Sequence, residues 1–149
     1  MRYAIAFLVF LAGCASAPSP TPEPSAAPVP PPLPESKPAP SETVAIAGLL
    51  QSARSDSATG RLTNAAATLE RALRIEPRNP RLWQELARVR LKQGEYAQAE
   101  SVASRSNSFA GADNALRADN WRLIAQSREA RGNADGARQA LETAERFGR

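Results

Sequence analysis

Histidine is absent from the 149 residues, and cysteine occurs only once, as Cys14. Without histidine the chain has no Ser-His-Asp triad and no Cys-His dyad, and a single thiol excludes an intrachain disulfide framework. A zinc site of the Cys/His type is excluded as well. The 15 acidic residues are spread along the chain with no Asp-rich metal loop. We therefore expect no catalytic residues, no metal ion and no cofactor.

Neither basic nor acidic residues are in large excess. The formal net charge is +4, from 17 Arg and 2 Lys against 15 acidic residues. Nucleic-acid binding usually requires a much stronger basic excess on one surface. This charge balance does not predict a nucleic-acid partner. We expect no small-molecule substrate either.

The N-terminus contains the longest apolar run, residues 3–12, which follows the positive charge of Arg2. Ten residues are too few to cross a bilayer, which takes about 20 in a helix. A short apolar run after a basic residue is typical of a secretory signal peptide. We predict a signal peptide over residues 1–13.

The sequence LAGC at residues 11–14 resembles the lipobox of bacterial lipoproteins. This resemblance implies cleavage before Cys14 and attachment of lipid to its thiol and new amine, which would anchor the protein stably. Ala15 then replaces the aspartate that marks inner-membrane retention, so the outer membrane, with the protein facing the periplasm, is the implied location. Ordinary secretion stays open as an alternative, because residues 15–17 form an A-x-A cleavage site.

Proline is concentrated in one segment, since 11 of the 13 prolines lie within residues 15–40. So few large apolar residues accompany them that this segment cannot offset the entropy of ordering. We predict that residues 14–41 form a disordered tether of mainly polyproline II conformation, with a reach on the order of 80 Å. A PxxP ligand for an aromatic groove is the alternative.

The rest of the chain, residues 42–149, repeats with spacings of 34 and then 38 residues. Seven sets share this register: Gly60, Gly94, Gly132; Leu49, Trp83, Trp121; Ala53, Ala87, Ala125; Ala65, Ala99, Ala137; Leu69, Ala103, Leu141; Ala72, Ser106, Ala144; Ile75, Phe109, Phe147. The pattern resembles the tetratricopeptide repeat, and the middle unit matches it best, at Trp83, Leu86, Ala87, Gly94, Tyr96 and Ala99. The first unit departs at Ser52 and Leu62.

The predicted fold is all-α: a short α-solenoid of three tetratricopeptide-like helical hairpins, in units of about 46–79, 80–113 and 118–149. Local signals place six helices near residues 42–57, 62–75, 80–93, 96–108, 114–131 and 134–147. Asn79 and Asp113 are predicted N-caps, and glycine such as Gly94 provides the left-handed residue that ends a helix. Alanines at the repeated positions allow paired helices to approach closely, and Trp83 and Trp121 are predicted core residues, with ligand stacking as the alternative.

The resemblance implies that the first helix of each hairpin lines a concave groove for a protein segment. The matching positions are Leu50, Gln51, Arg54, Arg81, Gln84, Glu85, Arg88, Arg122, Leu123 and Gln126. Their arginines favour a segment with acidic character, and a solvated face is the alternative for any one of them. Leu50, Glu85 and Asp119 occupy the family's carboxylate-clamp positions, so that clamp activity is not implied.

The order of lipobox, tether and three repeats resembles the LpoP-type outer-membrane lipoproteins. These activate bifunctional class A penicillin-binding proteins, the enzymes that build peptidoglycan. The resemblance implies a non-catalytic activator that binds such a synthase, while a scaffold or pilotin-like lipoprotein for pilus or secretion-complex assembly is the alternative. Four extra residues before Trp121 are either a partner contact or a neutral insertion.

Overall fold

The computed structural model describes the backbone of residues 40–149 and the side chains of residues 44–149. The predicted signal peptide, Cys14 and most of the Pro-rich tether lie outside the described residues. Six helices and no strand form the described part: α1 (Pro40–Ala58), α2 (Leu62–Ile75), α3 (Pro80–Lys92), α4 (Tyr96–Phe109), α5 (Asn114–Ala130) and α6 (Ala134–Phe147). The all-α prediction is confirmed, and each helix boundary lies within two residues of its predicted place.

Side-chain caps and left-handed residues define these boundaries. The Asn79 side chain caps α3 by accepting a hydrogen bond from the backbone N–H of Arg81 at 3.0 Å. Asp113 caps α5 by accepting from the backbone N–H of Leu116, also at 3.0 Å. Gly94 follows α3 with a φ of +78°, a conformation that residues with a Cβ rarely adopt. Both predicted caps are therefore confirmed.

The helices form three antiparallel hairpins that stack into a short solenoid. Each helix packs against the next one in the chain, and α3 also contacts both α1 and α5. The first helices of the three hairpins therefore lie side by side, as predicted for the face that lines a groove. Within residues 40–149, no helix has the length and apolar character needed to cross a bilayer.

Small residues allow this packing, because backbones can approach closely only where side chains are short. All six alanines at the repeated crossing positions are buried. The largest fully buried apolar side chains are Leu69, Leu82, Val89 and Ile124.

Both tryptophans are less buried than predicted. Trp83 packs against the hydrophobic cluster of the first two hairpins, and Trp121 packs against the cluster of the last two. Both are only half-buried. The indole Nε1 of Trp83 donates a hydrogen bond to the carbonyl of Pro77 at 2.8 Å, so its polar atom is paired at the edge of the cluster.

The four extra residues before Trp121 lengthen a helix. α5 has 17 residues, whereas α3 has 13. The added turn buries Leu116, and the Leu116 carbonyl accepts a hydrogen bond from Gln84 Nε2 at 3.5 Å. The insertion therefore has a packing role between the second and third hairpins.

Candidate interaction groove

The first helices of the three hairpins line an open groove of about 530 Å³, which we call the central groove. Its apolar lining residues are Ala58 from α1, Leu91 from α3 and Leu123 from α5. Its polar lining residues are Arg54, Ser57, Glu85, Arg88, Lys92 and Gln126. Such a mixture can pack the apolar side chains of a protein segment and hydrogen-bond its polar groups. The part of the chain that the structure describes has no cluster of His, Cys, Asp and Glu suited to a metal ion.

A row of alternating charges, which we call the charge ladder, crosses this face from α1 to α5: Arg54, Glu85, Arg88, Asp119 and Arg122. Arg54 Nε and Nη2 both donate to Glu85 Oε1, at 2.9 and 2.7 Å. Arg88 Nη1 donates to the same oxygen at 3.0 Å, and its Nη2 lies 3.9 Å from Asp119 Oδ2. Arg122 Nη1 donates to Asp119 Oδ1 at 2.6 Å. The ladder therefore joins all three hairpins.

The ladder contributes little to stability and much to the charge of the face. Its arginine side chains are 38 to 52% exposed, and ion pairs that exposed are worth about 0–1 kcal/mol each. With Lys92, the face carries four cations and only two carboxylates. The exposed guanidinium groups present planar pairs of donors to which a carboxylate of a protein segment can bind.

Comparison with known proteins agrees with this architecture. The tetratricopeptide repeat family model matches residues 57–118. The solved structure of the globular C-terminal domain of P. aeruginosa LpoP is 47% identical, with a TM-score of 0.66. The alignment covers 67% of this chain and 94% of that domain. No curated protein sequence matches the chain.

The chain belongs to the tetratricopeptide repeat family, and its repeat domain is of the LpoP type. Tetratricopeptide repeats are protein-interaction domains, whose function lies in the surface that they present. The central groove and the charge ladder are therefore the first surfaces to consider.

The structure brings five of the ten predicted groove residues together in the lining of the central groove: Arg54, Glu85, Arg88, Leu123 and Gln126. Leu123 is largely buried, so it offers a partner mainly an apolar contact. Arg122 lies beside the groove as the last member of the charge ladder.

The other four predicted residues lie elsewhere. Leu50 packs against the first hydrophobic cluster, and Gln51 is exposed on α1. Arg81 is exposed, with its Nη2 at 3.5 Å from Asp113 Oδ2. Gln84 is buried inside the domain, so it is not available to a partner.

Gln84 belongs to a buried polar network that is not predictable from the repeat register. Its Nε2 donates to Asn120 Oδ1 at 3.1 Å. Asn120 Nδ2 in turn donates to Ser106 Oγ at 2.8 Å and to Asn107 Oδ1 at 2.9 Å. Ser106 Oγ donates to the carbonyl of Pro80 at 2.7 Å. This network joins α3, α4 and α5.

Lys92 also lines the groove, although the repeat register did not predict it. It follows Arg88 by four positions, so the two side chains share one face of α3. Its Nζ donates to Ser57 Oγ on α1 at 2.9 Å. The i, i+4 spacing from a predicted groove residue was the signal that would have identified it.

Proposed function

We propose that this chain is a non-catalytic outer-membrane lipoprotein that faces the periplasm and activates a class A penicillin-binding protein. The observation that carries the proposal is the 47% identity to the C-terminal domain of LpoP over 94% of that domain. Cys14 would carry the lipid, and residues 14–41 would span the distance to the synthase. The lipobox-like sequence and the proline content support this arrangement.

The repeat domain would act by binding. The central groove supplies a basic face with apolar side chains, which suits a segment of the synthase with acidic character. The exposed arginines of the charge ladder would bind a carboxylate of the partner. Glu85 is buried, so its bonds to Arg54 and Arg88 would persist in the complex, because a buried carboxylate without a partner is costly.

The test is a glycan-polymerisation assay with a purified class A penicillin-binding protein of the same organism and the full-length chain in mild detergent. We expect the polymerisation rate to rise with added chain and to saturate. The chain alone should polymerise nothing. An unchanged rate at a saturating excess would overturn the activator proposal and favour the scaffold or pilotin-like alternative.

Charge reversals locate the contact within the same assay. Arg54→Glu and Arg122→Glu change the two ends of the charge ladder, and Arg71→Glu on α2 changes a matched arginine outside the groove. Loss of a hydrogen-bonded interfacial charge costs about 2–5 kcal/mol of binding, so the concentration for half-maximal activation should rise by about thirtyfold or more. The Arg71→Glu variant should change it by less than about twofold. Equal effects of all three variants would place the contact outside the central groove.

A further inference from the structure

The last hairpin presents a surface that the first two hairpins keep covered. Leu69 in α2 and Ala103 in α4 occupy the same repeat position and are 0% exposed, because the following hairpin packs over them. Leu141 is the equivalent residue in α6 and is 48% exposed. Within residues 40–149, no element covers it.

Around Leu141 lies an open groove of about 550 Å³, which we call the terminal groove: Ala125, Gln126, Glu129, Ala130, Ala137 and Leu141. Residues of both α5 and α6 line it. Inside the domain, α3 occupies the equivalent place, where it contacts both helices of the preceding hairpin, α1 and α2. The terminal groove therefore has the position of an inter-hairpin site for one more helix.

The two helices that fill such sites inside the domain indicate which helix would fit. α3 buries the apolar stripe Leu82, Leu86 and Val89, and the helix carries four basic residues and one acidic residue. α5 also has more basic than acidic residues, three against two. Only α3 combines this basic excess with an apolar stripe, because Asn120 and Ser127 stand in α5 at the positions of Leu82 and Val89, so α3 is the model for a helix that covers a leucine.

Charges at the terminal groove complement such a helix. Glu129 lines the groove, and Glu145 follows Leu141 by one helical turn. Neither carboxylate forms an ion pair within residues 44–149. Glu145 occupies the repeat position of Asn107, whose Oδ1 accepts a hydrogen bond from Asn120 of the next helix. A docked helix with a basic side chain at the position of Asn120 could donate a hydrogen bond to Glu145 in the same way.

The first helix of a second copy does not have these properties. Gly48, Ser52 and Ser55 of α1 stand at the positions of Leu82, Leu86 and Val89, and all three are exposed. They supply no apolar stripe that could cover Leu141. Head-to-tail stacking of copies would therefore bury little apolar surface.

We infer that the terminal groove docks a basic amphipathic helix of a partner protein, stacked on α5 and α6 as α3 is stacked on α1 and α2. This inference rests on the repeat register and does not depend on the proposed synthase partner. Failure of the activation assay would leave it standing.

The test measures binding of a fluorescent peptide with the α3 sequence, residues 80–92, to the full-length chain in mild detergent. A scrambled peptide of the same composition is the control. We expect saturable binding of the α3 peptide, weakened about tenfold or more by Leu141→Arg. Ile75→Arg is the matched control, because Ile75 is 45% exposed on α2, and it should change the affinity by less than about twofold.

Glu145→Lys provides a second variant at an exposed position, in case Leu141→Arg disturbs folding. It should also weaken binding of the peptide, since it replaces an acceptor with a positive charge that repels the basic peptide. Absence of saturable binding, equal binding of the scrambled peptide, or insensitivity to both Leu141→Arg and Glu145→Lys would each overturn the inference. So would self-association of the chain that Leu141→Arg abolishes, because the occupant would then be a second copy.

Discussion

The two interfaces between hairpins are built from equivalent repeat positions and differ in chemistry. At the interface between the first and second hairpins, four equivalent positions are apolar, whereas between the second and third all four are polar. The pairs, 34 or 38 residues apart, are Leu50 and Gln84, Ala72 and Ser106, Leu73 and Asn107, and Leu82 and Asn120. The first set belongs to or packs against one hydrophobic cluster, and the second forms the buried hydrogen-bond network.

The difference shows that the repeat backbone can be packed at this interface either with apolar side chains or with a hydrogen-bonded polar network. Apolar contacts are non-directional, so the first interface tolerates small shifts. The polar interface is directional, because each amide must meet its partner in the correct geometry. Asn107 Nδ2 is the one buried side-chain polar atom in the described residues that lacks a hydrogen-bond partner. Nearly complete pairing therefore fixes the third hairpin in one orientation and leaves little margin for change.

The largest expected loss of stability comes from placing a polar side chain of the second interface at the equivalent position of the apolar interface. Leu82→Asn removes a fully buried leucine and introduces an amide among apolar neighbours. Lost packing and an unpaired buried amide together should lower the free energy of unfolding by about 3–5 kcal/mol. Urea denaturation followed by circular dichroism measures this change.

Ile75→Asn is the control for that measurement, because it makes the same kind of replacement at a half-exposed isoleucine of α2. It should change the free energy of unfolding by about 0.5 kcal/mol or less. Similar losses for the two variants would mean that the first interface does not depend on its buried apolar cluster.

Much of the fold was predictable from the sequence because its signals are local and repeated. The 34- and 38-residue spacings, the caps Asn79 and Asp113 and the left-handed glycines fix six helices independently of tertiary contacts. Even α1, whose unit departs from the family pattern at Ser52, is helical. It still buries Ile46 and Ala53, which supply its contact with the rest of the domain.

The groove was less predictable, because a residue's position in the repeat does not specify whether the neighbouring hairpin covers its side chain. Leu50, Gln84 and Arg122 share one position and are half-buried, buried and exposed, respectively. The extra turn of α5 covers Gln84, while no helix within the described residues covers Arg122. The burial of each residue depends on its neighbouring hairpin, which the register alone does not specify.

A smaller loss is expected from placing one apolar residue in the polar network. Asn120→Leu copies Leu82 but removes the donor to Asn107 Oδ1 and leaves Gln84 Nε2 with only the 3.5 Å hydrogen bond to the Leu116 carbonyl. It also adds side-chain volume to a packed site. We expect the free energy of unfolding to fall by about 2–3 kcal/mol. Asn114→Leu, at the exposed start of α5, is the control and should cost less than about 1 kcal/mol. A neutral Asn120→Leu would mean that the network does not hold the third hairpin.

The smallest expected effect comes from copying the whole apolar set to the second interface: Gln84→Leu, Ser106→Ala, Asn107→Leu and Asn120→Leu. Removing every member of a network together leaves no unpaired amide, so the cost should be far below the sum of the single losses. We expect the quadruple variant to lie within about 1 kcal/mol of the natural chain, a strongly non-additive result in urea denaturation.

Because Leu is bulkier than Asn, some overpacking should remain, and α5 should pack less uniquely on α4. Hydrogen exchange of the α5 amides measures that loss of order, which should exceed any change in α2. A quadruple variant that loses as much as the single changes combined would show that the second interface cannot accept the apolar solution, and that the two interfaces differ in backbone geometry as well as chemistry.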